Sequence, residues 1–232
     1  MTDPRASRAG WWDTWRADVV LLDLDDVLLD TATCRRATWS WWASRVGLDA
    51  DTVIAAAWGR RLSDVVDDLV PDLDTAAETA AILARERILL RTARRPRGMW
   101  SFARSLPSAR WAIVTPLTND QAAARLSMTR LPEPPMVITS EDVSFSFPDP
   151  ASHLAAAERL GAAPEACVAM VGSASAVLAA KSAGMTAIGV HPHLDATTLG
   201  GADGLVAALG SVSVTLAGDG LELRARRERP FG

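Results

Sequence analysis

Val19-Val20-Leu21-Leu22 is a purely apolar run that breaks directly into acids, Asp23, Asp25, Asp26 and Asp30. Four apolar residues in a row read as a strand buried on both faces, which points to a parallel sheet covered by helices. Ligands of open α/β sheets bind beyond the carboxyl ends of the strands. Asp23 and Asp25 flank one apolar residue at that end. Two carboxylates at this spacing suit a nucleophile and a general acid, with a hard cation to hold a phosphate against them. The plainer reading is a polar strand end that leads into a capped helix. The acids end a fully apolar strand, and that favours the chemical reading.

The stretch Asp23-Leu24-Asp25-Asp26-Val27-Leu28-Leu29-Asp30-Thr31 resembles the first motif of the haloacid dehalogenase superfamily, of the type with a helical cap inserted just after it. The usual pattern is Asp-x-Asp-Gly-Thr-Leu-x-Asp-Ser/Thr, so Asp26 replaces its glycine. The resemblance covers roughly residues 17 to 210. It implies an α/β fold with a Rossmann-like parallel sheet and a helical cap. By this reading residues 17–31 and 97–210 form the core and 32–96 the cap. Residues 1–16 form an extension holding Trp11, Trp12 and Trp15, expected to pack on the body or on a second subunit. Residues 211–232 form a terminal β-hairpin, with Val212, Val214 and Leu216 alternating before Gly218-Asp219-Gly220.

Within the cap, helices are expected over 32–47, 51–58, 62–69 and 74–93, punctuated by Gly47, Pro71 and the Arg95–Gly98 turn. Beyond Gly98 the pattern alternates: helix 99–106, strand Trp111–Val114, helix 119–127, strand Met136–Thr139, helix 150–160, strand Cys167–Val171, helix 174–183, strand Thr186–Val190. Trp58-Gly59-Arg60-Arg61-Leu62 is similar to the segment with which such caps close over a site. The resemblance makes Arg60, Trp39, Trp41 and Trp42 candidates for substrate contact, although each is equally consistent with an ordinary cap residue.

The resemblance implies four chemical positions. Asp23 matches the nucleophile and Asp25 the general acid/base. Thr115, after an apolar strand, matches a phosphate-binding hydroxyl; a helix cap is the alternative. The third motif normally reads Lys-Pro-x-Pro, and here Phe147-Pro148-Asp149-Pro150 puts Phe147 in the lysine's place. Lys181, the only lysine, lies in a later helix. In the fourth motif Gly172 and Ala176 replace the two acids and Ser173 keeps the serine, or, with the register slipped by one residue, Ser173 and Val177 stand at the acid positions; in either register no Asp or Glu lies between Glu165 and Asp195. Mg2+ is therefore doubtful, with Asp23 and Asp25 the ligands left for a weakened site. Phosphoryl transfer depends on neutralising negative charge. These losses favour a catalytically impaired member that binds a small phosphorylated ligand or a partner. An active Mg2+-dependent phosphomonoester hydrolase acting through an aspartyl-phosphate on Asp23 is the second reading, and metal-independent ester chemistry the third. His191 and His193, with Asp195, are a further candidate transition-metal pair, with a polar loop as the plainer reading.

Composition bounds the rest. A net charge of −4 offers no electrostatic footprint for nucleic acid. Cys34 and Cys167 are expected as free thiols in a reducing compartment. No apolar run approaches the roughly 20 residues that span a bilayer. A soluble, cytoplasmic protein without nucleic-acid or membrane partners is expected, with a homodimer or a protein partner as the possible assembly.

Overall fold

The structure is a computed structural model and describes residues 12–191 and 199–226. Trp11, His193 and Asp195 lie outside the described residues. Strand β1 (Trp12–Ala17) precedes β2 (Val19–Leu22), and β2 is buried throughout. Four helices follow: α1 (Ala32–Val46), α2 (Ala50–Ala57), α3 (Leu62–Leu69) and α4 (Thr75–Leu89). Then come α5 (Met99–Ser105), β3 (Trp111–Val114), α6 (Asn119–Thr129), β4 (Val137–Ile138), α7 (Ala151–Leu160), β5 (Cys167–Val171), α8 (Ala174–Ser182) and β6 (Thr186–Val190). Strands β7 (Gly204–Val206), β8 (Val212–Ala217) and β9 (Gly220–Arg226) end the order.

Strands β2 to β7 form one parallel sheet in the order β4-β3-β2-β5-β6-β7. The strand that ends in Asp23 is therefore central. The chain winds from β2 to β3 and β4 on one side, then crosses to β5 and beyond on the other. That reversal leaves a crevice at the carboxyl end of β2, between β3 and β5. The sheet is an α/β Rossmann-like arrangement with helices on both faces, as expected. Val20, Leu22, Ile113 and Met170 pack on one face with α5, and Val19, Leu21, Val114 and Ala169 pack on the other with α7 and α8.

The helical lobe has its own core of Trp39, Trp42, Val53, Ile54, Val65, Val66 and Ile82. Its helices start where local chemistry dictates: Asp49 caps α2 by accepting from the Thr52 N–H, and Asp74 caps α4 by accepting from Ala76 and Ala77. Two carbonyl-rich contacts fasten the lobe to the α/β body. Arg61 Nη2 donates to Ser140 O (2.6 Å) and Val143 O (3.2 Å), and Ser175 Oγ donates to Trp58 O (2.9 Å).

Two features lie beyond the sequence expectation. The sixth strand, β7, is one. The other is a three-stranded antiparallel sheet, β1-β9-β8, which joins the first described residues to the last. The expected hairpin is present, and Trp12–Ala17 extends it as a strand. Trp15 packs on the body, over Gly204 and against the same core as Leu221 and Leu223. Both cysteines are free and buried. Among the described residues no helix is long and apolar enough to cross a membrane.

Candidate functional site

Asp23, Asp25, Thr115 and Gly172 meet at the carboxyl ends of β2, β3 and β5, under the helical lobe. They line a cavity of about 40 Å³ with Asp26, Arg35, Trp39, Arg60, Glu86, Arg125 and Phe147. That is room for about one water.

Asp23 is 6% exposed. Its Oδ2 accepts from the Gly172 N–H at 3.0 Å, and its Oδ1 has no hydrogen-bond partner. Burial pushes its pKa up to about 8; the neighbouring Asp25 and Asp26 add to the rise, while the Gly172 N–H and Arg35 oppose it. Thr115 Oγ1 is also buried without a partner. The cap of the helix after β3 is Thr118, in a capping box with Gln121, which leaves the Thr115 hydroxyl to the cavity. Two unpartnered buried polar atoms on one small cavity are groups whose desolvation a ligand would repay.

Asp25 is engaged. Arg125 Nε donates to its two oxygens at 2.8 and 3.1 Å, and Arg125 Nη2 reaches Glu86 of α4 at 2.8 Å. Burial works against the Arg125 charge, but Asp25 and Glu86 outweigh it and hold its pKa above the ordinary arginine value. A core arginine thus links the first motif to the lobe. No spacing rule marks an arginine in an amphipathic helix as a site residue, so no pattern in the chain singles it out. Glu86 was hidden for the same reason.

Asp26 carries the chain through a left-handed turn at φ 65°, where the resembled motif has glycine. Its Oδ1 accepts from Thr31 N and Oγ1 (3.2 and 2.9 Å), and its Oδ2 accepts from Arg35 Nη1 (3.2 Å). Burial raises its pKa to about 6 against the pull of Arg35. Arg35 also lies over the Trp58 ring, 4.7 Å from its centre.

Phe147 is 2% exposed and stacks on His153 with ring centres 5.1 Å apart. It brings a hydrocarbon wall where the resembled motif brings an ammonium. Burial pushes His153 down to about 4, so this ring is neutral and supplies no replacement cation. Ser173 caps α8 through the Ala176 N–H and contacts Ser175. A Cβ on Gly59 would collide with the Ser173 and Ser175 hydroxyls, so the lobe's Trp58-Gly59 loop docks directly on the fourth-motif serines.

Of the four cap candidates, Trp39 and Arg60 line the cavity, with Arg60 paired to Asp68 at 2.6 Å, and Trp41 packs against the lobe's own core with Arg85 over its ring. Trp42 is instead fully buried inside the lobe, edge-on to Trp39, with its indole N–H on Glu78. An indole has one polar atom to satisfy, and Glu78 takes it.

For Mg2+, usual in phosphatases of this kind, the chain supplies the free Asp23 Oδ1. Asp25 is bound to Arg125, the end of β5 is Gly172, and among the described residues no group of three or more His, Cys, Asp or Glu is poised around a metal position. An octahedral oxygen set is incomplete here.

No protein-family model matches the chain. It is 30% identical over 200 residues to hexitol phosphatase A of Escherichia coli K12, covering 84% of this chain and 93% of that protein. It is 28% identical over 204 residues to validoxylamine A 7'-phosphate phosphatase of Streptomyces hygroscopicus subsp. limoneus, with 84% and 95% covered. A hydrolase from Pseudomonas syringae has the same fold at a TM-score of 0.73 and 21% identity, with 83% and 94% covered. With Asp23 at the end of a central parallel strand, a helical lobe over it, and this likeness along most of its length, the chain belongs to the haloacid dehalogenase superfamily, among its phosphatase-like members.

Proposed function

We propose that the chain binds a small phosphorylated ligand between its sheet and its helical lobe, and that it is catalytically impaired, serving a regulatory or partner-binding role. The observation that carries this reading is Asp25. The residue in the proton donor's place has both oxygens bound by a buried arginine, which is itself tied to the lobe. Phe147 in place of a lysine and a fourth motif without its acids support the same reading. Removing one preorganised charge-stabilising donor typically costs about a hundred- to a thousandfold in rate. The free Asp23 Oδ1 and Thr115 Oγ1 remain to receive a phosphoryl group. The named relatives are phosphatases, which supports the ligand class.

Those same two atoms favour a second reading, an active Mg2+-dependent phosphomonoester hydrolase with Asp23 as nucleophile. Hydrolysis of phosphomonoesters, hexitol phosphates included, separates the two. It is run with and without Mg2+, Mn2+, Co2+ and Zn2+ beside Asp23→Asn. The expected result is no turnover above the Asp23→Asn background. Metal-dependent turnover that vanishes in Asp23→Asn establishes the second reading.

A further inference from the structure

Positions 26 and 172 are sterically coupled. A Cβ built on Gly172 falls 2.9 Å from the Asp26 Cβ and 3.0 Å from the Asp25 carbonyl oxygen. The crevice accepts a side chain from the β2 turn or from the end of β5, and in this chain it comes from the turn. The carboxylate that arrives there is already neutralised, held by Thr31 and by Arg35.

Arg35 is built into the site. Its side chain is 10% exposed, it lines the cavity, and the Trp58 ring holds its guanidinium from one side. It acts on Asp23 as well as on Asp26. The other two cavity arginines are committed elsewhere: Arg125 to two carboxylates, and Arg60 to Asp68 at the more open rim. Among the described residues, the one hydrogen bond that the Arg35 guanidinium makes is Nη1 to Asp26. A guanidinium has five N–H donors in a planar fork that matches a phosphoryl group.

We propose that Arg35 is the resident cation of this site and holds the phosphoryl oxygens of the ligand without a metal. Asp26, which stands where the resembled motif has glycine, occupies one edge of that guanidinium and leaves its other donors to the ligand. This rests on the phosphorylated-ligand reading above.

The test is calorimetric binding of inorganic phosphate and orthovanadate to the full chain, in EDTA and in Mg2+. Wild type binds in EDTA, and Mg2+ leaves the affinity within about threefold. Arg35→Gln weakens binding about ten- to a hundredfold, the range of one charged hydrogen-bonding group. Asp26→Gly releases the guanidinium from its partner and tightens binding, a direction that a misfolded variant cannot give. The exchange Asp26→Gly with Gly172→Asp moves the carboxylate to the end of β5, with only the Asp25 carbonyl to shift by a few tenths of an ångström. Its melting temperature then rises with Mn2+, whereas that of wild type does not. Binding by wild type only when Mg2+ is present, or equal binding by Arg35→Gln, overturns the role of Arg35 and leaves the ligand reading standing. No binding by wild type with or without metal overturns both.

Discussion

The Nε of Arg125 donates to both carboxylate oxygens of Asp25, with the arginine side chain 2% exposed and the aspartate 10%. This pair joins a core helix to the loop after the central strand, and through Glu86 it extends to the lobe. A buried ion pair is costly to break from one side, because the remaining charge is stranded. Replacing Arg125 by Met strands two. Arg125→Met is expected to lower the unfolding free energy by about 3–5 kcal/mol in urea denaturation. Combining it with Asp25→Leu and Glu86→Leu is expected to recover most of the loss. If the single variant matches wild type, the link is not structural.

Asp23 gives a pH dependence whose sign is fixed. Its carboxyl moves from 3.8 to about 8 on folding, mainly through burial. The folded chain therefore holds a proton that the unfolded chain has released. The associated stability is complete below about pH 4 and is lost as pH rises through 8. Asp23→Asn removes the titration. It is expected to be more stable than wild type above pH 8, by on the order of 5 kcal/mol as an upper bound. Melting curves from pH 5 to 9 check this; a pH-independent difference between the two proteins contradicts it.

The Phe147–His153 stack predicts a core penalty and a spectroscopic change. Phe147→Ala is expected to cost about 3–5 kcal/mol. It also admits water to His153, whose pKa of about 4 then climbs toward the ordinary 6.5. An NMR titration of the His153 ring follows the second effect independently of the first.

Arg61 holds the lobe down through carbonyls of the 140–144 loop. Arg61→Ala is expected to raise the open population about tenfold, since hydrogen bonds to charged groups contribute about 1.5–3 kcal/mol. Hydrogen exchange of amides in α2 and α3 should then accelerate while amides of β2 and β5 stay protected. Equal acceleration in both sets points to global destabilisation instead.

The sequence carried the fold further than the site. Val19–Leu22 and its acids placed the nucleophile position, and the cap helices were legible because Gly47, Pro71 and the Arg95–Gly98 turn punctuate them. Strand β7 escaped because Gly204-Leu205-Val206 is too short to show a period. Strand β1 escaped because its partner β9 lies at the other end of the chain, and Trp15 reads equally as a surface or a core residue. In the site, Phe147 and Gly172 were readable as departures from a pattern. Arg35 and Arg125 were not: all but one of the 24 Lys and Arg residues are Arg, so neither stood out before the fold brought them to the acids.

The sheet β1-β9-β8 has a consequence for biosynthesis. β1 ends at Ala17 and its partner begins at Gly220, so β1 must wait for a strand made about 200 residues later. At roughly 5–20 residues per second on the ribosome, that delay is on the order of ten seconds or more. For that time the nascent strand keeps Trp15 and an unpaired ladder exposed, which are the features that recruit chaperones or neighbouring chains. The parallel sheet can assemble in chain order, while the three-stranded sheet closes only once β9 has left the ribosome.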